Sequence, residues 1–433
     1  MKLAIIGFIL MIVLMYVLIK EKLSPIVAFI LLPLIAAAVA GNDLSMISGY
    51  VQNGMETMLS MAILFIFSIS YFSLMSEVGL FDPIINFLVK KMGKNIVTIF
   101  IAIVVVTFIA HLDGSGAATF LIVVPSFLPI CKKYGIRPQA LLACMTGAYA
   151  TMNILPWGGP TLRAASVSGI EVGDLYSFII PGVLACGAVA LLIAFAVFAI
   201  EKRNGAGTAA LMSGASDESE AGVEKKTSKP VYCFNLILTI VMLAILFMNI
   251  DFPLYAIFMI TFSLALIVNY PNVKEQTKRV KKYGENAMVM CMTLFAVGIF
   301  MGVIDESGMV EAMANAIVNI LPSGIAPHMH WFMALFSVPL MMILGTDAFY
   351  YALLPIIIGV VGPFGVTPQC VAATFLLTAT FGTPVSPSVA AVYVGLGLTD
   401  LSIGDHIKYS LRLVWPASIL VLVISTLLGV IQF

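Results

Sequence analysis

The sequence predicts an all-α polytopic membrane protein, and three observations carry that expectation. Of its 433 residues, 61% are apolar and only 10% are charged, whereas soluble domains are about 45–50% apolar and about 25% charged. The mean hydropathy is +1.08. The apolar residues stand in long unbroken runs, unlike the short alternating segments of an outer-membrane barrel. The same composition excludes a disordered chain, a collagen, a disulfide scaffold and a single-span receptor. Twenty-two basic and twenty-two acidic residues cancel, so net charge argues for no nucleic-acid partner. The six cysteines (Cys131, Cys144, Cys186, Cys233, Cys291 and Cys370) form no C-x-x-C pair and read as small core residues.

Taken in order, runs long enough to cross a hydrocarbon core of about 30 Å begin near Leu3, Leu23, Thr57 and Asn95, and others lie at 138–155 and 175–200. Met1-Lys2 before an apolar run has the look of a signal peptide. No small-residue cleavage site follows it, so the first run is read as a retained span. Residues 201–230 change chemistry, with Gly, Ser and mixed charge, and read as a polar linker. Apolar runs resume near Val231, Phe252, Asn286, Trp331, Ala348, Pro368, Val389 and Leu411.

The two stretches around the linker match each other. Pro125 and Pro138-Gln139 recur 230 residues later as Pro355 and Pro368-Gln369, Glu77-Val-Gly79 recurs 229 later as Glu306-Ser-Gly308, and Gly173-Asp174 recurs 231 later as Gly404-Asp405. An offset that drifts so little over about 100 residues marks an internal duplication. Residues 1–200 are therefore expected to be one repeat and 231–433 the other. Placing the spans in sequence puts 20 of the 22 basic residues on one face, leaving only Lys2 and Arg163. That face is expected to be cytoplasmic, with the linker on it and both termini outside. About five crossings per repeat, an odd number, make the copies inverted, as in secondary transporters.

Four short polar interruptions break the apolar runs, two in each repeat. His111-Leu-Asp113-Gly-Ser115-Gly116 separates the arms of a hairpin over 95–131, and Gly345-Thr346-Asp347 does so over 331–361. Asn153-Ile-Leu-Pro-Trp-Gly158-Gly159-Pro-Thr161 interrupts a helix over 138–168, and Thr380-Phe-Gly382-Thr383-Pro384-Val-Ser386-Pro-Ser388 interrupts one over 368–398. Gly and Pro at this density stop a helix. Backbone freed in this way must face protein or water, not lipid. Half-helix starts then attract anions and half-helix ends attract cations. Two re-entrant hairpin tips meeting two broken helices would enclose one site for both. The competing reading makes each tip an ordinary surface turn between full-length spans.

Arg163, Asp113 and Asp347 are the ionisable residues nearest the breaks. A charge at mid-bilayer costs about 2.5–3.5 kcal/mol on insertion scales, so such residues usually serve a function. Arg163 is expected to grip a carboxylate bidentately, and its bland reading is an outer-face anchor. Asp113 and Asp347 are expected to carry protons or meet a cation, against a bland role in capping the next helical arm. His111 reads equally well as a packing residue or a proton relay. His328-Met-His330 lacks a carboxylate or thiol partner and is a poor metal signal. Walker, nucleophile-elbow, zincin and Rossmann motifs are absent, so ATP-driven pumping and enzymatic turnover are not expected.

Asp113-Gly-Ser-Gly-Ala-Ala-Thr-Phe-Leu, followed by Asn153-Ile-Leu-Pro-Trp-Gly-Gly-Pro-Thr-Leu-Arg-Ala, resembles the citrate–divalent metal:proton symporter (CitMHS) family of the ion transporter superfamily. The resemblance extends to the Gly382-Thr-Pro stretch and covers most of the chain. It implies scaffold and transport domains, an elevator-type mechanism, a homodimer in the cell membrane and a tricarboxylate held between the hairpin tips. Sodium-coupled dicarboxylate relatives carry Ser-Asn-Thr at both tips. The carboxylates here suit protons or a divalent metal better.

The function expected from these readings is proton-coupled symport of citrate as a complex with Mg²⁺, Ca²⁺ or a similar metal. No resident cofactor is expected. Ser115, Gly116, Asn153, Gly158, Gly159, Thr161 and Arg163 would line one half of the substrate site. Gly345, Thr346, Gly382, Thr383, Pro384, Ser386 and Ser388 would line the other. Asp113 and Asp347 would couple protons or a cation, and a metal would meet them only through the substrate complex. Two alternatives stay open: symport of another organic anion (gluconate, lactate or a dicarboxylate, with protons or sodium) and cation/proton antiport.

Overall fold

A computed structural model of the chain describes residues 2–20, 22–91, 96–207, 228–247, 252–320 and 324–433. These residues are helical throughout, without a strand. The central part of the expected linker, 208–227, lies outside the described residues. Helix α1 covers Lys2–Ile19 and α2 covers Pro25–Ala40, which Ser24 caps at its start and Gly41 closes in the left-handed conformation. Helix α3, Leu44–Glu77, begins where the Asp43 carboxylate accepts a hydrogen bond from the Met46 amide at 2.8 Å. It starts well before the apolar run at Thr57, because Gln52, Asn53 and Glu56 break the apolar pattern without breaking a helix. Then follow α4 (Asp82–Lys91), α5 (Ile96–Ala110), α6 (Gly116–Lys133), α7 (Pro138–Met152), α8 (Gly159–Ser168) and α9 (Val172–Arg203).

The second set has the same order. Helix α10 is Lys229–Phe247, α11 is Leu254–Asn269 and α12 is Val273–Glu306. Again the helix starts earlier than the apolar run, here near Asn286, since the charged stretch after Asn272 is made of good helix formers. Helix α13 covers Met309–Val318, α14 Met329–Leu335, α15 Ser337–Asp347 and α16 Leu354–Val361, with a π turn at Ala348–Leu353 between the last two. Helix α17 (Pro368–Ala379) passes through 3-10 turns at Thr380–Val385, and α18 (Ala390–Thr399) and α19 (Ile403–Leu427) follow. Helices α3 and α12 are both 34 residues long.

Six helical stretches among the described residues are long and apolar enough to cross a membrane, and the pair Pro368–Val385 and Ala390–Thr399, bent by 42°, makes up to seven. One of the six, Ser337–Phe364, meets the criterion by composition, but its course is not straight. Gly345 inside it has φ 73° and ψ 169°. Helix α14, upstream of the bend, packs against α16 downstream of it. A straight helix would hold those segments roughly 30 Å apart, so the chain doubles back at 345–347. Helices α5 and α6 also pack side by side across the turn at 111–115.

Two groups of helices result. In the first, α3 and α12 cross in the most extensive helix–helix contact of the molecule, with α2 against α12 and α11 against α3. Glycines set their approach. A Cβ on Gly54 would lie 1.9 Å from the Gly298 carbonyl oxygen, and one on Gly302 would lie 2.0 Å from the Tyr50 carbonyl oxygen. Backbone meets backbone there, as small residues permit. The ends of the crossing are tied at positions 229 apart. Glu77 accepts from Lys282 and Tyr283, both at 3.0 Å, and pairs with Arg279, whereas Glu306 accepts from Asn53 at 2.8 Å. In the second group α7 packs against α5, α9 and α19, and α17 against α8, α9 and α19. Glu201, wholly buried, fastens this group. It accepts from the Arg137 guanidinium at 2.6 Å, the Arg137 amide at 3.1 Å and the Tyr409 hydroxyl at 2.9 Å.

Candidate functional site

The first hairpin tip is a capped turn. Gly114 takes φ +69°, Asp113 Oδ1 accepts from the Ser115 amide at 2.8 Å, and Ser115 Oγ caps α6 by accepting from Ala118 N at 3.3 Å. Asp113 thus makes the local turn bond, and the helix cap itself falls to Ser115. The tip is also tied to the first break. Trp157 Nε1 donates to the Leu112 carbonyl at 2.7 Å. The wholly buried His111 places Nε2 3.0 Å from Asn153 Oδ1 and Nδ1 2.6 Å from Thr119 Oγ1. A cavity of about 550 Å³ opens beside the tip, lined by Asp113, Gly114 and Ser115 together with Ser73, Glu77 and Lys282.

The second tip is tied to the second break in a parallel way. Ser386 Oγ donates to the Met342 carbonyl at 3.4 Å and Ser388 Oγ donates to the same oxygen at 3.3 Å. Gly345 lies against Ser388, and its φ of +73° calls for glycine. A second cavity, about 500 Å³, is lined by Gly345, Thr346, Asp347 and Ser388 on one side and by Ser24 and Pro25 on the other.

The two pairs interlock. Helix α6, the second arm of the first hairpin, packs on α18, the half-helix that follows the second break. The π turn and α16, the second arm of the other hairpin, pack on α8, which follows the first break. At this second junction Arg163 Nε donates to Asp347 Oδ1 at 2.8 Å, and the guanidinium lies 5.8 Å from the centre of the Tyr351 ring. The carboxylate of one hairpin tip therefore neutralises the cation of the other set's broken helix. Arg163 is mostly enclosed by protein, with only 12% of its side chain exposed.

The remaining expected residues divide by what they touch. Asn153, Thr161 and Thr383 are buried, and Asn153 Nδ2, Thr161 Oγ1 and Thr383 Oγ1 have no protein hydrogen-bond partner. Burying such groups unpaired costs about 1–3 kcal/mol each. Thr346 lines the second cavity. Four of the positions face protein. A Cβ on Gly116 would sit 1.9 Å from Tyr149 Oη, one on Gly158 2.2 Å from the Asn153 carbonyl, and one on Gly382 2.9 Å from Met341 Cβ. Pro384 is buried and offers its carbonyl to His406 Nε2 at 2.9 Å. Gly159, half-buried, opens the first turn of α8 after Gly158. No group of three His, Cys, Asp or Glu side chains converges among the described residues.

Sequence reasoning passed over His406, which fixes the Pro384 carbonyl, and the Glu77–Lys282 pair at the mouth of the first cavity. Neither has a local signal, since His406 follows the break by 22 residues and Lys282 follows Glu77 by 205. His330 bonds the Gln432 carbonyl through Nε2 at 2.9 Å, and His328 stacks on the Phe433 ring.

Residues 2–382 match a protein family described as citrate transporters. The chain is 32% identical over 434 residues to a citrate transporter of Bacillus subtilis (strain 168), covering 100% of both proteins. It is 31% identical over 435 residues to the Mg(2+)/citrate complex secondary transporter of the same organism, covering 99% of each. Among solved structures, the YdaH transporter of Alcanivorax borkumensis has a similar fold, with a TM-score of 0.60 at 14% identity over 88% of this chain and 87% of that one.

Proposed function

The chain belongs to the citrate transporter family, and on that premise we propose that it takes up citrate with protons, as a complex with a divalent metal, by an elevator-type movement of the interlocked helices. The observation that carries this reading is the junction of Asp347 with Arg163, which is on the same helix as the buried, unpaired Thr161 hydroxyl. A guanidinium already paired to one carboxylate at 2.8 Å has the geometry to take a citrate carboxylate instead. Helix starts at α8 and α18 favour the remaining negative charge.

Charge arithmetic favours the metal complex. Citrate is nearly trianionic at neutral pH, and moving each negative charge inward against 100 mV costs about 2.3 kcal/mol. A divalent ion cancels two charges and one proton cancels the third. Any further proton makes entry favourable, and Asp113 and Asp347 are the carboxylates placed at the tips to receive it. With few protein carboxylates converging, the metal would arrive already held by citrate. The relative that carries a Mg(2+)/citrate complex supports the same assignment.

The recurrence of equal helices at a near-constant offset supports two inverted repeats, residues 1–200 and 231–433. The α3–α12 crossing suits a scaffold, and the hairpins with α7–α9 and α17–α19 suit the moving part. The distribution of Lys and Arg supports termini outside and a cytoplasmic linker. A homodimer follows by analogy with the family. The test is uptake of labelled citrate by the purified chain in proteoliposomes, across a panel of divalent ions and at two pH values. Accumulation that needs both a divalent ion and an inward proton gradient is the expected result. Uptake driven equally by sodium, or equal without metal, would overturn the corresponding part.

A further inference from the structure

His111 bonds both the first hairpin, through Thr119, and the first break, through Asn153. Thr119 Oγ1 has a single proton and two acceptors within reach, His111 Nδ1 at 2.6 Å and the Ser115 carbonyl at 2.9 Å. That carbonyl already accepts from the Thr119 amide at 3.0 Å. Asn153 Oδ1 can only accept, so the ring nitrogen facing it at 3.0 Å, Nε2, holds the ring proton, and the lone pair of Nδ1 then draws the Thr119 hydroxyl proton across the shorter contact. The neutral ring thus accepts at Nδ1 and donates from Nε2. The carbonyl end of the Asn153 amide is consumed, and its NH₂ end is left buried without a protein partner.

We propose that His111 is a specificity-determining positioning residue: through Thr119 it fixes the Asn153 amide with its donor end free, so that the first break recognises an anionic oxygen and rejects a cation. The opposite tautomer would turn the amide round and present a carbonyl oxygen at the same spot, a ligand for a metal or sodium ion. The neighbours leave this choice to Thr119. Tyr149 packs on the ring with centroids 4.2 Å apart, Trp157 bonds the adjacent Leu112 carbonyl, and Asp113 is engaged with the Ser115 amide. None of them bonds a ring nitrogen. The inference rests on the proposed carriage of citrate only for the identity of the anion.

Two measurements on the full chain test it. Nitrogen NMR of histidine-labelled protein distinguishes the tautomers directly, with His111 left as the single histidine by His328→Gln, His330→Gln and His406→Gln. The Nε2–H tautomer is expected, and the Nδ1–H tautomer overturns the inference whatever the substrate proves to be. In proteoliposomes, Thr119→Val removes the hydroxyl that sets the tautomer. The expected result is a rise in citrate KM of about tenfold, the size of one lost hydrogen bond to a charged group, with a much smaller change in maximal rate. An unchanged KM, or an equal fall in both parameters, overturns it. Failure of the unaltered chain to carry citrate would instead strike the functional reading, and the tautomer measurement would still stand on its own.

Discussion

Arg163 and Asp347, 184 residues apart in the chain, meet with Nε and Oδ1 at 2.8 Å. Each lies beside a break in regular structure, Arg163 one turn into α8 and Asp347 at the hairpin tip. Such a cation–anion pair has an evident use in the proposed carrier. In the proposed cycle the Asp347 carboxylate holds the guanidinium until a citrate carboxylate takes its place, and the displaced Asp347 is then free to accept a proton.

Removing either partner should have different effects. Arg163→Gln leaves Asp347 without its cation and withdraws the substrate's charged partner, so citrate uptake at subsaturating concentration should fall by roughly 100-fold, as for a charged hydrogen bond of about 3 kcal/mol. Asp347→Asn and Asp113→Asn should spare citrate exchange between two citrate-loaded compartments while impairing accumulation driven by a proton gradient. Wild-type gradient-driven rates in both aspartate variants would take these carboxylates out of the coupling.

Substitution at the helix crossing should unseat the fold. A Cβ on Gly54 meets the Gly298 backbone at 1.9 Å, and backbone cannot swing aside as a side chain would. Gly54→Ala should therefore cost about 1–3 kcal/mol or more through overpacking. In detergent, its thermal midpoint should fall by several degrees, while Gly49→Ala, at a position inside the same helix where a Cβ meets nothing within 4 Å, should raise it slightly.

The first tip offers a rescue experiment. Gly116→Ala drives a methyl group into Tyr149 Oη at 1.9 Å, which should displace α6 and lower uptake. Tyr149→Phe removes that oxygen, so the double variant should recover part of the loss. A double variant no better than Gly116→Ala would show that the collision lies elsewhere.

Glu201 predicts a stability effect away from the site. Its buried carboxylate receives Arg137 and Tyr409, but the Arg137 side chain is 46% exposed, so solvent screens the pair. Glu201→Gln should destabilise by about 2 kcal/mol, less than the roughly 3–5 of a fully buried pair. Thermal melting with and without high salt measures this.

Much of this was legible before any coordinates. Composition and unbroken apolar runs gave the helical membrane class, and the clustered glycines and prolines at 153–160 and 380–388 located the interruptions, because backbone chemistry is written locally. The starts of α3 and α12 were missed for the complementary reason. Hydropathy marks where a helix meets lipid, whereas Asp43 and Asn272 mark where it begins. Arg163 and Asp347 could each be singled out as charges in apolar surroundings, but their pairing depends on the packing of α8 against the second hairpin. At Gly116 and Gly382, expected to line the substrate site, the missing side chain also leaves room for Tyr149 and Met341, a packing demand that only the fold reveals.

The unequal ties at the two ends of the α3–α12 crossing have a mechanical corollary. At one end Glu77 meets four residues, Tyr270, Arg279, Lys282 and Tyr283, while at the other Glu306 accepts from the Asn53 amide. Among the described residues the α3–α12 pair is therefore tied more densely at its Glu77 end, and a load that parts the two helices should open the Asn53 end first.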